Sequence, residues 1–248
     1  QQQYEHALTE RMEHKTEVRT DIEGAVVIAV ASGAGMRAVF EQLGAAYVID
    51  GGQTMNPSTG DFLEAIDALP NTEIILLPNN KNILLAAQQA ASAKATAATT
   101  KSVAVISTKT LPQGIAALFE YTNFTAGSAF SEIVDAMTHI LTSVRTCEIT
   151  RATRSVDLEG VSVKQGQWIG LLDDVLVVAG DEMSTLARSL LEKAEADNYE
   201  RITLYYGIDS DAAQANTLAE SLKQRFSEQE FEVVSGGQAL YPYIISVE

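Results

Sequence analysis

The chain carries a single cysteine, Cys147, and three histidines in 248 residues. One thiol cannot close an internal disulfide, which fits a reducing compartment such as the cytoplasm. Of the histidines, His6 and His14 fall in a polar leader and His139 on a predicted helix. None stands in a loop after a predicted strand, so no Ser-His-Asp arrangement can be placed. There is no CxxC and no HExxH, and His6 and His14 would lie about two helical turns apart. A Walker A sequence is missing as well. No catalytic residue and no metal ligand is therefore assigned. No run of 18 apolar residues occurs, which argues against a transmembrane helix. The opening QQQYEHALTERMEHKTEVRTDIEG is polar and charged, unlike a signal peptide.

Acid is what the chain has in excess. The net charge is −16, and residues 131–248 contribute most of it, with 20 Asp+Glu against 9 Lys+Arg. Nucleic acid and anionic lipid surfaces are repelled by such a protein. The acidity serves solubility in general, and it also suits a basic partner surface. With 46% apolar residues the length supports a substantial core.

Residues 1–20 show no sustained apolar face and read as a linker or the tail of a preceding domain. From Ala25 the pattern changes to apolar runs, turns and helical stretches in alternation. AVVIAVA (25–31), AYVID (46–50), EIILLP (73–78) and VAVIST (103–108) are strand candidates. Helices are predicted through MRAVFEQL, closed by Gly44, through DFLEAIDAL, capped by Ser58 or Thr59, through ILLAAQQAASA and through QGIAALFEY. Fully apolar strands alternating with helices are the signature of a parallel sheet covered on both faces. In such sheets ligands sit beyond the carboxyl ends of the strands. Those ends hold ASGAG, DGGQTMNPST, PNNKN and TKTLPQG, all polar and all on one predicted edge.

The rest reads differently. After a helix from about Ser131 to Ser143, short alternating strands separated by EG, QG and DD suggest an antiparallel meander. Helices near Met183–Ala196 and Asp211–Phe226 and further strands complete it. The fold class expected is therefore α/β in two parts, a parallel α/β unit over residues 21–128 and an α+β unit over 129–248.

Three features at the predicted edge invite a functional reading. Ser32 and Gly33-Ala34-Gly35, followed by Met36-Arg37-Ala38, match a dinucleotide fingerprint, with Asp50 ending the next strand. Any tight strand-to-helix turn also favours glycine, so a nicotinamide-dependent enzyme is the weaker alternative. Lys81 and Lys109 could each hold an anion, or simply be solvated beside turn residues Asn79, Asn80 and Asn82. Third, Gly51-Gly52-Gln53 and Gly236-Gly237-Gln238 repeat one pattern 185 positions apart, each followed by three residues and a proline. Glycine permits positive φ and proline fixes the exit. The two turns are expected to face each other across a cleft, with Gln53 and Gln238 locking the halves together.

At DGGQTMNPSTGDFLEAI, PNNKNILLAAQQAA, STKTLPQGIAAL and GGQALYPYIISVE the chain resembles the C-terminal region of the ATP-binding subunit of bacterial fatty acid kinase, a dihydroxyacetone-kinase-like family. The resemblance covers about residues 21–248. It implies a DegV-like two-part fold and a larger subunit whose kinase domain, absent here, binds ATP and Mg. It also implies a cytoplasmic role in feeding fatty acids to phospholipid synthesis, and it leaves room for a homodimer of the full-length subunit. The partner implied is a DegV-like acyl-binding protein, which presents the fatty acid carboxylate for phosphorylation. This chain would dock that partner and be inactive alone. In the acyl-binding relatives a Thr-Ser-Gln-Pro-Ser loop holds the carboxylate, and Met55-Asn56-Pro57-Ser58-Thr59 departs from it. Where those relatives have a second serine loop, Asn79-Asn80-Lys81-Asn82 has none. Candidate ligand or interface positions are thus Ser32, Gly33 and Gly35, then Gly51 through Thr54, Asn56, Ser58 and Thr59. Asn79 through Asn82, Thr108, Lys109 and Gln113 follow, with Gly236, Gly237 and Gln238. The alternative to docking is a domain that itself holds a fatty acid or small anion in the strand-end cleft.

Overall fold

A computed structural model of the chain describes residues 18–96, 100–158 and 160–248. Most of the expected leader, His6 and His14 included, lies outside the described residues. The first sheet is built from β1 (Val26–Ala31), β2 (Tyr47–Asp50), β3 (Glu73–Leu77) and β4 (Ser102–Val105), all parallel in the order β2-β1-β3-β4. Every residue of β1 is buried, as a central strand covered on both faces requires.

The helices between these strands are set by local chemistry. Helix α1 (Ala34–Gln42) closes at Gly44, whose φ of 100° suits only glycine without strain. Helix α2 (Thr59–Ala68) starts in a capping box, in which the Asp61 backbone N–H donates to the Ser58 hydroxyl and the Ser58 N–H donates to the Asp61 carboxylate. Helix α3 (Leu84–Thr96) follows a short 3-10 turn from Lys81 to Ile83. Helix α4 (Leu111–Tyr121) is capped by Thr110 and has Pro112 in its first turn, where a missing N–H costs nothing.

Helix α5 (Phe130–His139) packs on α4, and its Ile133 and Met137 are buried in the first core. Chain order had placed residues 129 onward in the second unit. By packing, this helix belongs to the first, because its apolar face finds α4 rather than the second sheet. The change of sheet falls after α5.

The second sheet has six strands: β5 (Arg145–Arg151), β8 (Trp168–Leu172), β9 (Val175–Gly180), β10 (Arg201–Tyr206), β11 (Glu230–Ser235) and β12 (Tyr243–Val247). They lie in the order β11-β10-β12-β5-β8-β9. Only β10 and β11 pair in parallel; the rest are antiparallel. Strands β6 (Val156–Leu158) and β7 (Val161–Val163) form a separate hairpin. The meander is thus as the turn residues suggest. Asp173 and Asp174 take φ of 48° and 71°, the two left-handed positions of a two-residue hairpin turn.

Helices α6 (Met183–Lys193) and α7 (Ala212–Lys223) cover this sheet. Leu190, Leu222 and Phe226 from that side pack on Cys147, Ile149 and Ile245 in a second core. The two layers are joined by Tyr205 and Ile244, strand residues of the second sheet that are buried in the first core. Among the described residues, no helix is long and apolar enough to cross a membrane.

Candidate functional site

The four predicted strand-end loops converge. With the β8–β9 turn and the 238–241 segment they enclose a cavity of about 140 Å³ between the two layers. Ser32, Thr54, Asn79 through Asn82, Lys109 and Gln238 are the sequence-predicted residues that line it.

Most of them are fixed by structural bonds. The Ser32 hydroxyl donates to the Gly52 carbonyl at 2.6 Å. Asn79 is buried with φ of 59°, its side-chain nitrogen donating to the Val30 carbonyl at 2.8 Å and its backbone N–H to the Thr108 hydroxyl at 3.0 Å. An asparagine accepts that left-handed geometry more readily than most residues. Asn80 caps the following turn through the Asn82 N–H, at 2.8 Å. Gln113 accepts from the Lys109 N–H at 2.8 Å and so shapes the loop without entering the cavity. Ser58 and Thr59 are taken up by the start of α2, with Thr59 donating to Gln89 at 3.0 Å.

The repeated Gly-Gly-Gln turns do border the same space, but not as a pair of locking glutamines. Gln53 and Asn56 point to solvent. Gln238 is buried and donates to the Tyr205 and Tyr241 carbonyls at 3.0 and 3.1 Å, both within its own half. The locking contact is backbone to backbone. The Met36 N–H at the start of α1 donates to the Gly236 carbonyl at 2.8 Å. A Cβ on Gly35 would lie 1.7 Å from the Ser235 oxygen, and one on Gly33 2.4 Å from the Gly237 carbonyl carbon. Glycine is required on this side because the second half's main chain rests on it. The first turn is tied to β1 instead, the Gly51 N–H donating to Ala31 at 2.8 Å and the Gly52 N–H to Asp50 at 2.9 Å.

The same contact removes the basis of the dinucleotide reading. A pyrophosphate would need the free N–H groups at the start of α1. There the Gly236 carbonyl and the Gly236–Gly237 backbone occupy that position. The fingerprint is a glycine turn built for a protein strand.

The residue that the sequence pattern did not flag is Glu148. Along β5, Cys147 and Ile149 enter the second core, so Thr146 and Glu148 face the first layer. The Thr146 hydroxyl meets that of Thr110 at 2.7 Å, and both are buried. Glu148 is only 8% exposed and lines the cavity. Burial pushes its carboxyl up to about 7, the nearby Asp174 adds to the effect, and Lys81 and a hydrogen bond from Tyr241 oppose it. Asp174 itself pairs with Lys81 at 3.3 Å across the layers. Asp173 is held by the Arg145 Nε at 2.6 Å and the Thr146 N–H at 2.9 Å. Cys147 is fully buried and burial drives its thiol far above the usual range, so it packs and does not react.

This two-layer arrangement is that of the DegV fold. It superimposes on a DegV family protein from Corynebacterium glutamicum with a TM-score of 0.64, at 17% identity over 90% of this chain and 96% of that one. A fatty acid kinase (Fak) B3 protein from Streptococcus pneumoniae, solved loaded with linoleic acid, matches with a TM-score of 0.58, at 10% identity over 91% and 99% of the two chains. A DegV family protein from Eubacterium eligens loaded with heptadecanoic acid also matches with a TM-score of 0.58, at 14% identity over 91% and 99%. Residues 26–248 match the FakA-like C-terminal family, that of the fatty acid kinase, and the chain belongs to that family. A protein of Staphylococcus aureus described as uncharacterized is 34% identical over 236 residues, which are 95% of this chain and 42% of that protein. The chain thus spans less than half the length of the curated relatives it matches.

Proposed function

We propose that this domain docks the acyl-binding, DegV-like partner of a fatty acid kinase and takes no part in the chemistry itself. The family membership ties the chain to a fatty acid kinase. The observation that carries the docking reading is the cavity. At about 140 Å³ it falls well short of the roughly 300–1,000 Å³ of a typical ligand pocket. Its inner wall is the buried carboxyl of Glu148 with Asp174 beside it, which disfavours a fatty acid carboxylate. A domain with the fold of acyl-binding proteins and no room for an acyl chain is better suited to meeting such a protein than to replacing it.

The mouth of the cavity supplies a surface for this. Leu240 lines it and is 50% exposed, and Val175, next to Asp174, is 50% exposed. Large apolar side chains left in water around a polar depression are what a partner covers. ATP and Mg would act in the kinase domain elsewhere in the full-length protein. In this chain the Gly33–Gly35 turn, the one that resembles a phosphate loop, is filled by the Gly236 carbonyl.

Calorimetric titration of the domain with its acyl-binding partner, loaded and unloaded, tests the reading beside a titration with free fatty acid. Saturable partner binding with no heat from the fatty acid is the expected outcome. Fatty acid binding without partner binding would overturn it and make the domain an acyl holder.

A further inference from the structure

Three buried acceptor oxygens near the cavity lack a hydrogen-bond partner, on Asn79, Gln238 and Glu148. Two of them are accounted for by glycine. A Cβ on Gly114 would lie 2.0 Å from Asn79 Oδ1, and one on Gly236 2.0 Å from Gln238 Oε1, so each amide oxygen rests on a bare Cα where a weak C–H contact suffices. Glu148 Oε2 has no such cover. The side chain is more than nine-tenths buried and lines the open cavity.

The charges around it are uneven. Glu148 and Asp174 line one wall and share one nearby ammonium, that of Lys81, which pairs with Asp174 and is 53% exposed at the mouth. Asp173, next to them, is taken by Arg145. Tyr241 donates its hydroxyl to the Glu148 carboxyl. Lys109 stands on the lip contributed by the first layer. Met55, Leu111, Leu240 and Ile244 complete the lining with apolar surface. The volume is close to the ~150 Å³ of an apolar cavity that holds benzene, room for about six non-hydrogen atoms.

A buried carboxylate with a free oxygen, a second carboxylate beside it and an apolar wall opposite suit one kind of guest. We propose that the cavity binds a single organic cation, a primary ammonium or guanidinium on a short apolar stem, with Glu148 as its main partner. An anion would meet two carboxylates. A metal ion would want a cluster of three or more acidic, His or Cys ligands, and none occurs among the described residues. The cation can arrive as a free small amine or as a Lys or Arg side chain of a docked protein. The chemistry at Glu148 is the same, and the site does not depend on the docking reading above.

The test follows the Glu148 carboxyl by carbon-13 NMR in the 248-residue chain during pH titration, with n-butylammonium chloride as the probe. Matched potassium chloride and neutral n-butanol are the controls. At saturation, butylammonium is expected to lower the Glu148 midpoint by about one unit or more. Its binding should be about tenfold tighter near pH 8 than near pH 6, because only the ionised carboxylate is competent. Glu148→Gln, checked for an unchanged circular dichroism spectrum, is expected to lose binding about tenfold or more.

Four results would overturn the proposal. The first is a Glu148 midpoint that does not move at about 10 mM butylammonium, a weak-ligand concentration. The second is an equal movement with potassium chloride, and the third is butanol binding as well as the amine. The fourth is a midpoint that rises in Lys109→Ala, because a resident lysine would then already fill the site. With the site established by butylammonium, addition of the acyl-binding partner separates the sources. A Glu148 signal moved by the partner assigns the cation to a protein side chain, and partner binding that leaves it unmoved assigns it to a free amine.

Discussion

Replacing Glu148 with glutamine is expected to make the protein more stable in mild alkali. Glutamine has the shape of the protonated acid, so packing and the contact with Tyr241 are kept while the charge is removed. In the folded chain the carboxyl titrates at about 7 instead of its ordinary 4.5. Between those values the native state holds a proton that the unfolded chain has lost, so stability falls as pH rises. Below about pH 4.5 both states are protonated and Glu148 costs nothing. Above about 7 the full cost applies, roughly 3 kcal/mol at 1.36 kcal/mol per unit.

The groups that set this balance are Asp173, Asp174, Lys81 and Tyr241, and all of them remain in the variant. Urea denaturation of the two proteins at a series of pH values measures the difference directly. The variant should gain about 3 kcal/mol near pH 8 and almost nothing near pH 5. Parallel stability curves across that range would refute the reasoning, since they would mean that Glu148 is solvated or permanently paired.

Other predictions follow from the packing. Gly35→Ala forces a Cβ against the Ser235 oxygen and should cost about 3 kcal/mol or more. Gly44→Ala meets open space and pays only for its φ of 100°, about 1–2 kcal/mol; urea midpoints of the two variants give the comparison. Cys147 should resist a thiol-labelling reagent in the native protein and react at once in denaturant, as absorbance of the released chromophore would show. Leu240→Asp should weaken partner docking about tenfold or more with little change in melting temperature, because the side chain is half exposed. Equal affinity by calorimetry would move the docking surface away from the cavity mouth.

How far each part was legible depends on how local its cause is. The parallel sheet could be read because β1 and β3 are unbroken apolar runs and Ser58, Thr110 and Gly44 punctuate the helices between them. The convergence of the strand-end loops follows from the topology of any such sheet. The Gly33–Gly35 turn misled because its occupant is the protein's own strand end, about two hundred residues away in the chain. Nothing local distinguishes a glycine turn made for a phosphate from one made for a carbonyl. Glu148 was passed over for a related reason. In a meander with one wet face, an acid alternating with Cys147 and Ile149 belongs in water, and only the stacking of the second sheet against the first encloses it. The neighbouring Thr110–Thr146 contact carried no signal either, since a threonine pair 36 residues apart is silent until the layers meet.

The position of β12 has a consequence for biosynthesis. It lies between β10 and β5 in the middle of the second sheet, although it is made about 100 residues after β5. At the roughly 5–20 residues per second of translation, β5 waits on the order of 5–20 s with one edge unpaired. The first sheet, complete by residue 105, can fold meanwhile and present its glycine turn as a landing place. The emerging chain therefore spends its most aggregation-prone interval with the Cys147–Ile149 edge open, a natural target for a holding chaperone.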